Sequence, residues 1–210
     1  GEEAARALFA GMSAHSILPL DKIATTAFGL VLSIGAHRHN WPLVRGGSQR
    51  FADALIAILR SLDGEVVTGQ EVRSLRDIPP ARAVLFDVTP RTFLRITGEA
   101  LPPGYRRALQ RYRYGPGVCK VDYALDGPIP WLNQDCARAG TLHTGGTLEE
   151  IEAAEAAVWR GEHPERPFVL LVQPTIVDPS RAPQGKHIAW AYCHVPNGSD
   201  RDVSASIDAQ

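Results

Sequence analysis

The seven histidines of this 210-residue chain are the residues whose chemistry first suggests a metal site. His37 and His39 are two positions apart, and His143, His187 and His194 stand at the ends of predicted strands. A zinc ion takes three or four ligands at characteristic spacings, and no cysteine or carboxylate completes such a set here. His37 and His39 also follow a predicted helix, where a protonated imidazole interacts favourably with the helix dipole. We therefore predict no metal site, and a metal-dependent hydrolase is the weakest of the alternative functions.

The thiols and hydroxyls do not predict a nucleophile either. Cys119, Cys136 and Cys193 cannot all pair with one another, and no two have the close spacing of a zinc knuckle or a redox pair, which favours a reducing compartment. Cys136 falls in a proline-rich loop with no evident base. His15 and Ser16 are neighbours in sequence, so their side chains should point apart rather than form a hydrogen bond.

A self-sufficient dinucleotide site is also not predicted. No strand is followed by the Gly-x-Gly-x-x-Gly turn that brings a pyrophosphate to a helix N-terminus. The nearest string, Gly115, Pro116 and Gly117, leads into a predicted strand and lacks the third glycine. The sequence also has no glycine-rich phosphate loop that ends in lysine and serine or threonine.

Composition limits the partners. With 22 basic and 23 acidic residues the formal net charge is −1, which gives no field to hold a polyanion, so nucleic acid is not an expected partner. The apolar run from Ile23 to Ala36 is shorter than the roughly 20 residues of a membrane span and is predicted to be a buried helix. Peripheral membrane contact stays open. Glu2 and Glu3 replace the basic start of an export signal, which favours a cytoplasmic location.

Apolar periodicity and end signals predict five helices. In the third, Ser48 precedes an apolar face, and Gly64 is the expected left-handed residue at its C-terminal end. Thr147 and Glu150 form a capping box for the last. The helices are expected at Leu8–Ser16, at Asp21–Gly35, between Ser48 and Gly64, between Thr89 and Gly98, and between Thr147 and Gly161.

Seven strands are predicted between these helices. They are Glu65–Thr68, Glu71–Leu75, Ala83–Val88, Val118–Leu125, Thr141–Thr144, Phe168–Gln173 and His187–His194. The last alternates bulky and smaller residues with a period of two, which indicates two different faces. Long connections favour an antiparallel sheet over a doubly wound one. The predicted fold class is α+β, with a mainly antiparallel sheet of four to six strands and helices packed on one side. An approximate boundary separates residues 1–88 from residues 89–210, although one domain is also compatible with the pattern.

Three segments, in order, resemble phytoene dehydrogenase-like FAD-dependent oxidoreductases, within the flavin amine oxidase and carotenoid desaturase superfamily. They are Leu8–Leu20, the Pro-x-x-Gly-Gly turn with the strands after its helix (Trp41–Gln49, Gly64–Thr68 and Val72), and the loop and strand Asp178–Pro196. The resemblance implies FAD contacts by Gly46, Gly47, Ser48 and Val72. Glycines let a backbone approach the cofactor closely.

The family's dinucleotide motif would precede Gly1, and its closing flavin motif would follow Gln210. The resemblance therefore implies an internal fragment whose partner is the missing FAD-binding portion of the same polypeptide. On this reading the FAD belongs to the full-length parent and the segment alone is inactive. Residues 1–88 would contribute to the FAD side, and residues 89–210 would form the substrate side.

A second resemblance concerns Lys120. The string Gly117–Tyr123 followed by Pro130 and Trp131 is similar to the strand on which flavin amine oxidases present a lysine near the flavin. This implies a catalytic role for Lys120, because an ammonium stabilises developing negative charge and orients water or dioxygen. The alternative is a strand lysine that pairs with Asp122 or lies at the sheet surface.

Large aromatic side chains are the candidates for substrate contact. The candidates are Trp131, Phe168, Trp190 and Tyr192, although aromatic residues on a sheet are more often core. The expected function is the substrate-binding portion of an FAD-dependent oxidoreductase that dehydrogenates, isomerises or saturates a lipophilic substrate by hydride transfer with the flavin. The alternative from another class is a non-catalytic module that binds a lipid or a protein.

Overall fold

Five helices precede the first of four strands, and from there helices and strands alternate; the computed structural model describes all residues from Gly1 to Gln210. The helices are α1 (Glu2–Ala14), α2 (Thr25–His39), α3 (Ser48–Ser61), α4 (Pro90–Thr97), α5 (Pro103–Gln110), α6 (Gln134–Arg138), α7 (Leu148–Arg160), α8 (Pro174–Val177) and α9 (Ser204–Asp208). The strands are β1 (Gly117–Leu125), β2 (Thr141–Thr144), β3 (Val169–Val172) and β4 (His187–Val195). They form one antiparallel sheet in the order β1-β4-β3-β2, so the predicted α+β class is confirmed.

Internal contacts divide the chain into two units. The first combines Gly1–Leu55 with Gly115–Gln210 and contains the whole sheet, and the second is Ile56–Tyr114. We call them the sheet unit and the inserted unit. The boundary expected at residue 88 falls inside the inserted unit.

The two faces of the sheet differ as the alternation in β4 predicts. Cys193 and Ala191 are buried on one face together with Val169 of β3, and Val203 and Ile207 from the region of α9 pack against them. Neighbouring residues of a strand point to opposite faces, so Phe168 and the even-numbered residues of β4 lie on the other face. We call the first the cysteine face and the second the aromatic face.

Helices α1 and α7 pack on the aromatic face, where Ala10, Ala14, Ile151 and Phe168 form a second buried cluster. We expected helices on one side of the sheet only, and this is wrong in detail, because Ile207 of α9 belongs to the core of the cysteine face. A strongly apolar face of a sheet must be covered on either side, and here the C-terminal residues cover it.

Two of the three predicted N-terminal caps are present, whereas Ser48 is itself the first residue of α3. Thr147 accepts a hydrogen bond from the Glu150 backbone N–H at 3.3 Å, and the Glu150 carboxylate accepts one from the Thr147 backbone N–H at 2.8 Å. Thr89 accepts from the Thr92 backbone N–H at 3.3 Å and begins α4. These local signals are confirmed because each cap satisfies a backbone N–H that the first helical turn leaves free.

The end of α3 differs from the prediction by one residue. Asp63, not Gly64, is the left-handed residue, with φ of 60°. The Gly64 N–H then donates to the Leu59 carbonyl at 2.9 Å, which closes the helix. A Cβ on Gly64 would lie 2.9 Å from that same carbonyl oxygen, so glycine is needed here for space rather than for a positive φ.

The segment Ile23–Ala36 contains most of α2 but is not the buried helix that we predicted. Val31 and Ile34 are 67% and 64% exposed, and only Thr25 and Gly29 of this helix are buried. Gly29 lies against Phe9 and Ser13 of α1, where a Cβ would clash with the Ser13 hydroxyl. No helix in the structure combines the length and the hydropathy that crossing a bilayer requires.

The three strands predicted within residues 65–88 are wrong. The backbone there is irregular apart from a short 3-10 helix at Leu75–Asp77, and Val67, Val84 and Leu85 are exposed. A strand requires a neighbour to receive its backbone hydrogen bonds, and the inserted unit contains no ladder. Alternation of apolar residues was therefore not sufficient to predict a strand in this segment.

Candidate functional site

The Gly46 and Gly47 turn lies directly against the loop that follows α8. The Gly46 N–H donates to the Asp178 carboxylate at 2.7 Å, across 132 positions of sequence. The Ser180 hydroxyl and N–H donate to the other oxygen of the same carboxylate, at 2.6 and 3.2 Å. Asp178 is 9% exposed. The hydrogen bonds from Ser180 and from the Gly46 N–H hold the pKa of the Asp178 carboxyl below its usual value.

Gly47 is buried and has φ of 99°. A Cβ at this position would lie 3.2 Å from the guanidinium carbon of Arg181, in a backbone conformation that L side chains rarely adopt. Ser48 begins α3 and is exposed. The structure therefore brings together two separate segments, the Gly-Gly turn and the Asp178–Arg181 loop, and we call this contact the glycine junction.

Two arginine side chains lie beside the glycine junction, whose centre is the Asp178 carboxylate. The Arg50 stem is 3.4 Å from the place of a Cβ on Gly46, Arg181 lies over Gly47, and Arg45 precedes the turn. Guanidinium groups bind phosphate in a bidentate manner. A turn of two glycines beside arginines is an arrangement that can bind an anionic group such as a phosphate.

Lys120, Trp190 and Tyr192 are neighbours on the aromatic face. In the register of β1 and β4, Lys120 is opposite Tyr192 and Asp122 is opposite Trp190. The Trp190 and Tyr192 rings are stacked, with an interplanar angle of 12° and centroids 6.1 Å apart. The Lys120 ammonium lies 5.3 Å from the Trp190 ring centroid and is bonded to the Asp122 carboxylate. We call these four residues the aromatic platform.

The aromatic platform is the more open end of its face. The Lys120 and Asp122 side chains are 44% and 72% exposed, and Trp190 and Tyr192 are half-buried. Part of each ring stays exposed, and the Lys120 ammonium lies over the Trp190 ring. Such a surface accommodates a planar or extended apolar molecule and places one positive charge beside it.

A buried acid and base lie next to the aromatic platform. The Nδ1 atom of His194 is 2.8 Å from a carboxylate oxygen of Glu155, and both side chains are at most 3% exposed. The His194 ring centroid is 5.8 Å from that of Tyr192. Glu155 stands four residues after Ile151, on the apolar stripe of α7, and a carboxylate at that position was the signal that our sequence reasoning missed.

A histidine pair extends the same face on its other side. The Nε2 atoms of His15 and His143 are 3.1 Å apart, and the His143 ring lies 5.3 Å from that of Phe168. Burial, together with the nearby His15, lowers the pKa of His143 to about 4. Burial, together with His194, lowers the pKa of His15. Both rings are therefore held neutral near neutral pH.

The other two predicted substrate residues have structural contacts. Phe168 is 2% exposed and belongs to the core between the sheet and α1 and α7. Trp131 is half-buried, and its Nε1–H donates to the Gln173 side chain at 3.0 Å. Gln173 in turn donates to the carbonyls of Cys136 and Ala139. Substrate contact by these two residues stays a prediction, and neither belongs to the aromatic platform.

Val72, the fourth predicted FAD contact, lies in irregular backbone of the inserted unit and is half-buried. Its role stays a prediction. No three histidine, cysteine or acidic side chains converge on a point that suits a metal ion. A shallow depression on α2, lined by Ser33, Ile34, His37 and Arg38, contains none of the predicted site residues.

Comparison with models of protein families, with curated proteins and with solved structures gives no significant match.

Proposed function

We propose that this chain is the substrate-facing portion of an FAD-dependent oxidoreductase that resembles phytoene dehydrogenase and acts on a lipophilic substrate. The observation that carries the proposal is the glycine junction. The Gly-Gly turn and the Asp178 loop were singled out separately by the resemblance, and the Gly46 N–H donates to Asp178. The partner in this proposal is the FAD-binding portion of the same polypeptide, and the three free thiols support a cytoplasmic location.

On the cofactor side, Gly46 and Gly47 allow close approach, and Arg50 and Arg181 supply charge for the phosphates. FAD, when bound, supplies the acceptance or donation of hydride. The Asp178 carboxylate does not face the cofactor as a free charge, because Gly46 and Ser180 occupy its oxygens. Its role is to hold the turn in its left-handed conformation, in which Gly46 is exposed and Gly47 is covered by Arg181.

On the substrate side, the aromatic platform binds the apolar substrate by contact with the stacked Trp190 and Tyr192 rings. Lys120 is the one cation beside these rings, and turning from Asp122 towards the substrate would place its ammonium where negative charge develops. Covering the aromatic platform would exclude water from the reacting atoms.

The direct test compares two glycine variants of the protein at its natural length. Gly47→Ala introduces a Cβ 3.2 Å from the Arg181 guanidinium at positive φ, whereas Gly198→Ala introduces one at φ of 75° in open space. Both variants carry backbone strain, so the comparison isolates the glycine junction. We expect Gly47→Ala to lose bound flavin and Gly198→Ala to retain it. Equal flavin content in the two variants would refute the role of the junction.

The role of Lys120 is tested with Lys120→Met in the same protein. We expect slower flavin turnover with unchanged flavin content, because the ammonium touches the aromatic platform and not the glycine junction. Asp122→Asn is the matched control, since it removes the partner carboxylate and leaves the lysine. A Lys120→Met protein with the kinetics of the wild type would remove Lys120 from the proposal.

The second candidate function is a non-catalytic module that binds a protein or a lipid. The exposed apolar faces of α2 and α3 favour it, because Val31, Ile34, Phe51 and Ile58 are each 58% exposed or more. A protein at natural length that is colourless, folded and unable to bind added FAD would select this function over the oxidoreductase.

A further inference from the structure

Two cysteines face each other across neighbouring strands. Cys119 of β1 is the register partner of Cys193 of β4, although 73 residues separate them along the chain. Directly opposed residues of an antiparallel pair have Cα atoms about 4.5 to 5.5 Å apart. A disulfide spans Cα separations of about 4.4 to 6.8 Å, so the backbone already meets its first requirement.

The two thiols also point to the same side of the sheet. Cys193 is 1% exposed within the core of the cysteine face, and Cys119 is half-buried and packs against that core. Both are free thiols. Cys136 lies in α6, outside the sheet, so no neighbouring strand places a second cysteine opposite it.

We propose that Cys119 and Cys193 are a dithiol site that peroxide oxidises to a cross-strand disulfide. The half-buried Cys119 is the thiol that a small peroxide reaches first. Burial and the nearby Cys119 raise the pKa of the Cys193 thiol to about 12, so Cys193 keeps its proton during the peroxide step and loses it only when its sulfur attacks the oxidised Cys119.

The chemistry balances with hydrogen peroxide as the only oxidant. Peroxide transfers one oxygen to the Cys119 sulfur, which becomes a sulfenic acid, and one water is released. The Cys193 sulfur then attacks the Cys119 sulfur, the S–S bond forms, and the hydroxyl group leaves with the Cys193 proton as a second water. Two thiols lose two electrons in total, and one peroxide accepts them.

The site is next to the aromatic platform. Lys120 is paired with Tyr192 on the adjacent rung of the same two strands. A covalent bond between β1 and β4 at this point would fix their register and resist separation of β1, which is an edge strand of the sheet. The proposal does not depend on flavin binding.

Tryptic peptide mapping without reduction tests the proposal. Cleavage after arginine and lysine places the three cysteines in three different peptides, 114–120, 121–138 and 187–201. After treatment of the folded protein with hydrogen peroxide we expect a linked pair of peptides 114–120 and 187–201, lighter by two hydrogens. A link that involves peptide 121–138, or sulfinic acid at Cys119 without a link, would overturn the proposal.

Variants that each lack one cysteine complete the test. Cys136→Ser should form the same link, whereas Cys119→Ser should form none while Cys193 stays reduced. If Cys193→Ser fails to fold because the side chain is buried, Cys119→Ser, at a half-buried position, still shows whether the linked peptides disappear. The linked wild type should also unfold at a higher temperature than the reduced form, and an unchanged or lower midpoint would contradict a bond that fits the native register.

Discussion

The sheet unit and the inserted unit contain similar apolar sequence patterns, but the apolar side chains are buried in the first and exposed in the second. In the sheet unit, β3 and β4 bury Val169, Ala191 and Cys193 to 2% exposure or less, because each strand has a neighbour on both sides. In the inserted unit, Val67 and Leu85 stand in equally apolar segments and are 64% and 92% exposed. Backbone pairing, rather than side-chain type, separates the two units.

The difference extends to polar chemistry. All seven histidines lie in the sheet unit, where His15, His143 and His194 line one face. The inserted unit has no histidine, and Asp77 is its group with a lowered pKa, because the Arg73 and Ser74 backbone N–H groups donate to it. The two units should therefore respond differently to truncation, to acid and to loss of a helix cap.

The largest expected effect is on the core of the sheet unit. Phe168→Ala should lower the free energy of unfolding by about 3 to 5 kcal/mol, because a buried aromatic ring is lost and a cavity remains. Leu85→Ala, at a side chain that is 92% exposed, should change it by less than about 0.5 kcal/mol. Urea denaturation of both variants measures the contrast. Equal losses would show that residue 85 is packed in solution.

Acid should affect the sheet unit first. The pKa of His143 is about 4 in the folded chain against 6.5 for an unperturbed histidine, so the unfolded state takes up the proton first. The contribution of neutral His143 to the free energy of unfolding is therefore complete above pH 6.5. The free energy of unfolding should fall by about 3 kcal/mol as the pH decreases to 4. Hydrogen exchange of peptides from each unit, measured across this pH range, shows whether the sheet unit loses stability first.

Two controls sharpen the acid experiment. His143→Gln should remove most of the pH dependence, whereas the exposed His39→Gln should leave it. In the inserted unit, the lowered pKa of Asp77 gives stability that is present above its unfolded value of 3.8 and is lost as the pH falls below it. If exchange in both units accelerated together between pH 6.5 and 4, the histidine explanation would be wrong.

An intermediate effect concerns Gln173, which is 3% exposed and joins Trp131 to two loop carbonyls. Gln173→Ala should cost about 1 to 3 kcal/mol, because the Cys136 and Ala139 carbonyls lose their donor inside the protein. Trp131→Phe removes only the indole donor and should cost less. Thermal unfolding of the two variants measures the order, and a larger loss for Trp131→Phe would mean that the ring, not the amide, holds the loop.

The smallest effect compares two equivalent caps. Thr147→Ala and Thr89→Ala each remove a hydroxyl that accepts a 3.3 Å hydrogen bond at a helix start, and each should cost about 1 kcal/mol. Loss of the cap hydrogen bond should accelerate hydrogen exchange in α7 for Thr147→Ala and in α4 for Thr89→Ala. Exchange that accelerates in both helices for either variant would show that the two units unfold as one.

Local signals were sufficient for part of this fold. The cap at Thr147 and the alternation of β4 were predictable because each depends on residues within a few positions. The exposure of Leu85 was not, since a strand pattern does not reveal whether a neighbouring strand exists. The position of Asp63 was missed because glycine is the usual left-handed residue at a helix end, and there the glycine is needed for space.

The candidate site shows the same limit. Gly46, Gly47 and Lys120 stood out from resemblance, but the sequence did not reveal that Asp178 accepts from Gly46 or that Cys119 faces Cys193. Those contacts join residues that are far apart in the chain, and only the register and the packing bring them together. His194 stood out only as one of several strand histidines, because its partner Glu155 looked like one more charged residue of a helix.

The visible absorption spectrum of the protein at its natural length decides whether it is a flavoprotein. We expect a flavin band that stays with the protein through gel filtration and changes when a lipophilic substrate exchanges hydride with the flavin under anaerobic conditions. A folded protein without this band, which also fails to acquire it after incubation with FAD, would rule out the proposed oxidoreductase.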